Sequence, residues 1–387
     1  MVKYSDYYIK TSKWERNNDF AYFFDKITTA IFKKPKLVNI KNPRKILIIR
    51  NDHIGDLLLT TPVFREIKKN FPDSKITVMA DPVAKTIIEK NKNVDEIIPF
   101  GLFWRKKNIK SFLEYLRVLN KIKREKFDIG IDIRGSLLNI FFFLFLPRIK
   151  KRVAYFNKSG GVIFLTNPIL YSKRESWHKT ILEIVNKGLG MNSKNYWPEI
   201  ITDKGDEKEV EKFLKENKIK KFISLIPGSS TKAKEWPIQK FDELIKKINK
   251  KYPEYKILLV GGGNDKHKIN YLIKRNKNCV PVINFNLRWV AILFKKAKAI
   301  VGCDGGTREI AWVVKGNLVD LQGPVDLKLH PLFGGKNIKA IKHNVPCYPC
   351  NWSVPCKKPC GVWCMELITP NEVFKAIEEF IKNKEHK

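Results

Sequence analysis

Twice along this chain of 387 residues, short apolar β-branched runs alternate with longer segments of helical periodicity, which narrows what it can fold into. The first series places strands near 45–50, 75–80, 95–99 and 127–133, with helices at about 57–70, 83–91 and 108–125. The second restarts with strands at 221–226, 255–260, 298–303 and 317–321 and helices near 237–251, 264–276, 286–296 and 306–314. A last helix over about 370–383 opens with Thr369 as its cap and Pro370 at its first position. Alternation at these lengths predicts parallel, doubly wound α/β sheets, and the chain is long enough for two such domains. The polar stretch near 192–208 reads as the linker. Two Rossmann-like domains joined this way are expected to face a central cleft with the carboxyl ends of their strands, where open α/β sheets bind ligands.

The charge balance bears on partners. There are 75 Lys and Arg against 39 Asp and Glu, a net charge of +36. Only 14 of the cations are Arg, and they gather into no single arm or stripe, which argues against a dedicated nucleic-acid binder. An anionic membrane surface or an acidic substrate fits the same excess, as does plain surface composition. Residues 1–43 form a basic, aromatic extension in which Phe20, Tyr22, Phe23, Phe24, Ile27, Ile31 and Phe32 fall partly at helical spacing. It would lie on a membrane interface or pack on the body of the protein. The N-terminus has no secretory pattern, and Leu137–Leu146, the most apolar run, is about half of a bilayer span. A cytoplasmic protein touching the inner membrane face is the expectation, with Leu137–Leu146 a buried helix or an interfacial element.

The first strand, Lys45-Ile-Leu-Ile-Ile-Arg50, runs into Asn51-Asp-His53-Ile-Gly55-Asp56 and then into a long apolar-periodic segment. Asp56 therefore stands at the carboxyl end of a buried strand, positioned either for chemistry or as a helix cap. Arg50 and His53 flank it as candidate acceptor contacts.

Strands of the second half end in turns that suit phosphate. The first turn is Pro227-Gly228-Ser229-Ser230-Thr231-Lys232-Ala-Lys234-Glu-Trp236-Pro237, with hydroxyls and Lys234 available to an anion, or simply a solvated loop. The second, Gly261-Gly262-Gly263-Asn264-Asp265, lacks the dinucleotide fingerprint. The third, Gly302-Cys303-Asp304-Gly305-Gly306-Thr307-Arg308-Glu309, opens a helix whose first amides and dipole favour an anion. Together they point to a nucleoside diphosphate.

These residues resemble glycosyltransferase family 9, the heptosyltransferases of the lipopolysaccharide inner core, over roughly residues 44–382. Three blocks carry the resemblance: Ile54-Gly55-Asp56-Leu57 with Thr61-Pro62; Pro227-Gly228 through Lys234-Glu-Trp236-Pro237; and Gly302 through Gly306 with Ala311, followed by Gln322-Gly323-Pro324. The resemblance implies a GT-B fold, with an N-terminal acceptor domain over 44–195 and a C-terminal nucleotide-sugar domain over 205–368, and with 369–387 a closing helix. It implies an inverting transfer of a heptose or related sugar from a nucleoside-diphosphate sugar to a lipopolysaccharide-core or other surface-glycan acceptor, without metal or other cofactor. The family's base falls on Asp56, its phosphate-contacting lysine on Lys234, its hydroxyl contacts on Ser229 and Ser230, and its pyrophosphate-binding helix start on Asp304 to Thr307. Thr231, Gly262, Gly263 and Glu309 complete the expected donor-binding set. Two departures stand out: Gly305 replaces the usual Ser or Thr, and Glu309 replaces the usual His. The second of these leaves Glu309 to address a sugar hydroxyl or to be offset by Arg308. A non-catalytic homologue that binds nucleotide or glycan is the competing expectation.

Five of the seven cysteines crowd the stretch 347–364: Cys347, Cys350, Cys356, Cys360 and Cys364. Their spacing resembles a structural zinc or iron–sulfur set, against the alternative of a cysteine-bearing segment with no metal. Cys279 and Cys303 fall in strands and are expected in the core.

Overall fold

The computed structural model describes residues 23, 25–28, 37–101, 109–156, 160–171, 177–326, 335–350 and 363–383. The chain divides into two compact units, Met1–Pro198 and Glu199–Lys387. Each is a six-stranded, wholly parallel sheet with helical connections, the two-domain Rossmann-like arrangement of the GT-B fold.

In the first unit the sheet order is β3-β2-β1-β4-β5-β6. The strands are β1 (Lys45–Arg50), β2 (Lys75–Ala80), β3 (Glu96–Pro99), β4 (Ile129–Asp132), β5 (Lys151–Tyr155) and β6 (Asn167–Ile169). β1 is central and buried on both faces, which is why it reads as a continuous apolar run. Its alternate residues Leu47 and Ile49 face a layer made by helix α2 (Ile109–Glu125), through Tyr115, Val118 and Ile122, and by the run Leu137–Phe145. That run is one α-turn, Leu137–Asn139, followed by π-helix, Ile140–Phe145. Gly130 on β4 allows its close approach, because a Cβ there would lie 2.6 Å from Leu144 Cδ2. Ile140, Phe143 and Leu144 point inward while Leu138, Phe145 and Leu146 are exposed, so the run is half core and half surface.

Helix α1 (Ile54–Asn70) follows β1 and contains Pro62. Proline supplies no N–H for the carbonyl of Leu58 four residues earlier. The Thr61 hydroxyl donates to that carbonyl at 2.8 Å and restores its partner. Of the extension, the described residues 23 and 25–28 are fixed to the body through Asp25. Asp25 is buried, and its Oδ1 accepts the N–H groups of Gly161 (2.7 Å) and Val162 (3.2 Å).

The second unit has the order β12-β11-β10-β7-β8-β9. Its strands are β7 (Lys221–Ile226), β8 (Tyr255–Gly261), β9 (Cys279–Ile283), β10 (Ile300–Cys303), β11 (Leu318–Gln322) and β12 (Ile338–Lys342). Trp236, at 1% exposure, anchors the core on one face, and its indole N–H donates to the Ile368 carbonyl at 3.0 Å. Helix α10 (Pro370–Lys382) begins with the expected cap, Thr369, in a reciprocal capping box with Glu372.

Several elements depart from the sequence expectations for local reasons. The helix expected over 83–91 contracts to a 3₁₀ turn, Ala84–Ile87. Strands β6 and β9 carry Pro168 and Pro281 and are tolerated because each is an edge strand. β12 alternates Lys with apolar residues and is half exposed at the opposite edge. Helix α3 (Trp177–Leu189) was also not anticipated. Helix α4 (Lys204–Glu216) claims the end of the stretch read as linker, with Asp203 as its cap. It buries only Asp206 and Val210 and so looks solvated in sequence. Asp206 accepts from Arg288 (2.9 and 3.2 Å) and from the Trp289 indole (3.0 Å), both on helix α7 (Leu287–Lys296).

Candidate functional site

Each unit carries a cluster of charged side chains at the carboxyl ends of its central strands. In the first, Arg50 ends β1 with its side chain 3% exposed. Its Nη2 donates to Asp56 Oδ1 at 2.6 Å, and its Nε lies 3.1 Å from Asp52 Oδ1, an ionic contact too bent for a hydrogen bond. Burial pulls the Arg50 pKa down, but Asp52, Asp56 and Asp132 outweigh it and hold the guanidinium charged. Arg50 is thus a buried ion-pair partner of Asp56.

Asp56 is the third residue of α1, whose N-cap is His53. It is therefore not the helix cap. Its side chain is 26% exposed, with Oδ1 held by Arg50 and Oδ2 without a partner among the described residues. His53 is exposed and its side chain makes no capping bond. Beneath them, Asp132 at the end of β4 is fully buried, accepting from the Ser136 N–H (2.7 Å) and Asn139 Nδ2 (3.1 Å). Asn139 Nδ2 also reaches Asn51 Oδ1 at 3.2 Å. Burial raises the Asp132 pKa to about 6, against the lowering effects of Ser136, Asn139, Arg134 and Arg50.

In the second unit, β8, β7 and β10 are successive neighbours and all parallel, so their carboxyl-end turns meet. One aspartate packs two of them closely and another bonds two of them together. Asp265 Oδ2 accepts the Gly262 N–H at 2.9 Å, and a Cβ at Gly228 would lie 1.9 Å from Asp265 Oδ1. Only glycine lets the first turn approach the second this closely. Asp304 joins the first turn to the third. Its carbonyl accepts from the Ser229 hydroxyl at 2.7 Å, and its carboxylate pairs with Lys234. Lys234 is 7% exposed, so the first turn is built structure and not a solvated loop.

Asp304 also receives Arg308 Nη2 at 2.7 Å. Arg308, 2% exposed on helix α8 (Gly306–Val313), further contacts Glu309 Oε1 (3.1 Å) and Asp320 Oδ1 (3.2 Å). Burial opposes the Arg308 charge, but Asp320, Glu309 and Asp304 push its pKa upward. Glu309 is buried at 8% exposure beside Arg308. Arg308 thus offsets the Glu309 charge through Oε1. Gly305, Gly306 and Thr307 are half-buried at the start of α8, Ser230 is exposed, and Gly263 is exposed beside Gly262. The Thr231 hydroxyl is buried without a hydrogen-bond partner among the described residues. A cavity of about 460 Å³ lies beside the first turn, lined by Pro227, Lys232, Glu235, Trp236, His267 and Tyr271, but it includes neither Lys234 nor Asp304. Charge and hydrogen bonding, more than cavity size, therefore mark the site.

The profile of glycosyltransferase family 9 (heptosyltransferase) matches residues 115–359, more than half of the chain. The chain belongs to glycosyltransferase family 9. It is a glycosyltransferase. Among relatives of family 9, lipopolysaccharide heptosyltransferase 1 of Campylobacter coli is 26% identical over 305 residues, covering 72% of this chain and 84% of that one. The structure of Escherichia coli ADP-heptose LPS heptosyltransferase II superposes with a TM-score of 0.71 at 19% identity, over 87% of this chain and 98% of that one. E. coli heptosyltransferase WaaC, solved with ADP-2-deoxy-2-fluoro heptose, gives 0.63 at 18% identity, over 87% and 99%.

Asp52, Asp132 and Asp265 are site-building residues that the sequence alone does not single out, although Asp265 stands at the capping-box distance from Gly262. For the cysteines, Cys356 and Cys360 lie outside the described residues, and no group of three or more metal-capable side chains gathers among the described residues. Cys279 and Cys303 are core, each with its thiol pushed up to about 12 by burial.

Two predictions follow from the clusters. Asp132 is neutral-favouring in the fold, so its contribution is fully present below about 3.8 and is lost as pH rises through about 6. Asp132→Asn does not titrate, so its stability relative to the parent should improve between pH 4 and pH 7.5, by up to about 3 kcal/mol. Urea unfolding at the two pH values measures this, and a pH-independent difference would refute it. Arg308→Met strands three buried or half-buried carboxylates and should lower unfolding free energy by about 3–5 kcal/mol. A loss within 1 kcal/mol would mean that water already neutralises them.

Proposed function

We propose that the protein transfers a sugar from a nucleoside-diphosphate sugar to a hydroxyl of a lipid-borne surface glycan, with inversion at the anomeric carbon. The observation that carries this reading is the pair of clusters. One unit offers a partly exposed carboxylate whose second oxygen has no partner among the described residues, and the other offers a buried lysine among three phosphate-suited turns. Asp56 accepts the proton of the attacking hydroxyl at Oδ2, while Arg50 fixes Oδ1. Lys234 and the first amides of α8 take up the charge that gathers on the leaving diphosphate. Because Lys234 is paired with Asp304, donor binding has to share the ammonium between Asp304 and phosphate. One base serves a single displacement, and no metal is needed for these steps.

The ADP-linked fluoro-heptose bound by the solved relative makes ADP-heptose the first donor to test. The lipopolysaccharide heptosyltransferase relative supports a lipopolysaccharide-core acceptor. Gly305 and Glu309 mark where donor preference would differ from such relatives. A lipid-borne acceptor places the enzyme at the cytoplasmic face of a membrane, and no described helix is long and apolar enough to cross one.

Two substitutions test the assignment. Asp56→Asn keeps shape but removes basicity, so transfer should fall by about 10²–10⁴-fold while calorimetric affinity for the nucleoside diphosphate stays within twofold. Near-normal turnover would sink Asp56 as the base. Lys234→Ala should weaken diphosphate binding by about 10–100-fold and slow transfer as well, since charge on the leaving group grows toward the transition state. Unchanged affinity and rate would return the turn to a purely structural role.

A further inference from the structure

Helix α2 carries two apolar stripes where a surface helix needs one. Tyr115, Val118 and Ile122 fill the core, while Ile109, Phe112, Leu113 and Leu116 repeat at i, i+3, i+4 and i+7 on the exposed side. Phe112 and Leu113 are 55% and 56% exposed. The neighbouring π-helix continues this surface. Phe142 packs edge-on against Tyr115 at 5.2 Å, and Phe145 sits over Phe164 at 4.8 Å with 37% of its surface open. The Asp25 contact with Gly161 and Val162 ties the described residues 23 and 25–28 to this layer, leaving Phe23 and Ile27 exposed. Nine of the twelve exposed large hydrophobic residues among the described ones lie on α2, on the run Leu137–Leu146 that contains the π-helix, or at residues 23 and 27, and one lies in the second unit. Such concentration is not the scatter of single apolar residues that ordinary surfaces show.

The charges on the same helix favour one occupant. Arg117, Lys123 and Arg124 are exposed on α2, and Glu114 is its only fully exposed acid. A second copy of this chain docking by the same face would set these cations against themselves. An anionic bilayer meets both the apolar stripe and the cations.

We propose that this layer is the surface by which the enzyme lies on an anionic membrane, with Phe112, Leu113 and Leu116 entering the acyl boundary and Arg117, Lys123 and Arg124 at the headgroups. The inference rests on the reading of a lipid-borne acceptor, which is what gives this enzyme a reason to bind a bilayer. It is tested with the full chain and vesicles of phosphatidylethanolamine and phosphatidylglycerol, against phosphatidylcholine alone. The triple variant Phe112→Ser, Leu113→Ser, Leu116→Ser should reduce partitioning to the anionic vesicles at least tenfold, with melting temperature and nucleoside-diphosphate affinity unchanged. Arg117→Glu with Lys123→Glu should reduce it as strongly, and salt should weaken the parent's binding. Unchanged partitioning in both variants overturns the proposal. So does a change of oligomeric state in sedimentation with vesicle binding intact, which would assign the face to self-association. If partitioning falls as expected but no nucleotide sugar is transferred to a lipid-borne acceptor, the docking surface stands and the acceptor reading fails.

Discussion

A buried guanidinium stands at the carboxyl end of each sheet, and the polar architecture of both units is organised around it. Arg50 gathers Asp52 and Asp56 beside the buried Asp132, and Arg308 gathers Asp304, Glu309 and Asp320. Withdrawing a charge from water is costly unless opposite charges and hydrogen bonds meet it closely. The carboxylates are therefore held in fixed geometry. In a parallel sheet covered on both faces, the strand ends are the place where such groups can be partly dry and still open to ligand. Each arginine thus fixes the orientation of an aspartate that stands at the rim, Asp56 in one unit and Asp304 in the other.

The second unit depends on this in a further way. Asp304 is bonded to all of its neighbours at once: Ser229 through its carbonyl, Lys234 and Arg308 through its carboxylate. The first and third turns are therefore bonded together, and the second packs on the first where Gly228 meets Asp265. For the phosphate site proposed above, this means a lysine whose position is already set, which reduces the ordering that binding would impose.

Much of this was legible in the sequence where one physical signal dominated. The buried central strands, the turns after β7, β8 and β10, and the capped final helix each announce themselves by β-branched runs, glycine clusters or the Thr369-Pro370 start. What escaped reading has a different character. β6, β9 and β12 are edge strands, where proline and lysine are permitted and the apolar signal fades. Helix α4 is stabilised by Asp203 and by the Asp206–Arg288 pair across 82 residues, which its charged sequence hides. The ion pairs of Arg50 and Glu309 are likewise hidden, because sequence shows their charge but not their burial. Partnerships such as Asp304 with Lys234 exist only once the strands are ordered, so no local pattern could reveal them.

The proline within α1 has a mechanical consequence. Where the amide of residue 62 is missing, a side-chain hydroxyl on a rotatable bond replaces a rigid backbone rung. Such a link is a softer spring than the peptide hydrogen bonds before and after it, and helices bend most readily at such points. The first turn of this helix is thus compliant relative to the packed segment behind it. Small displacements of the backbone can be absorbed there while Arg50 keeps its hold on Asp56 Oδ1, so the core behind the helix need not loosen.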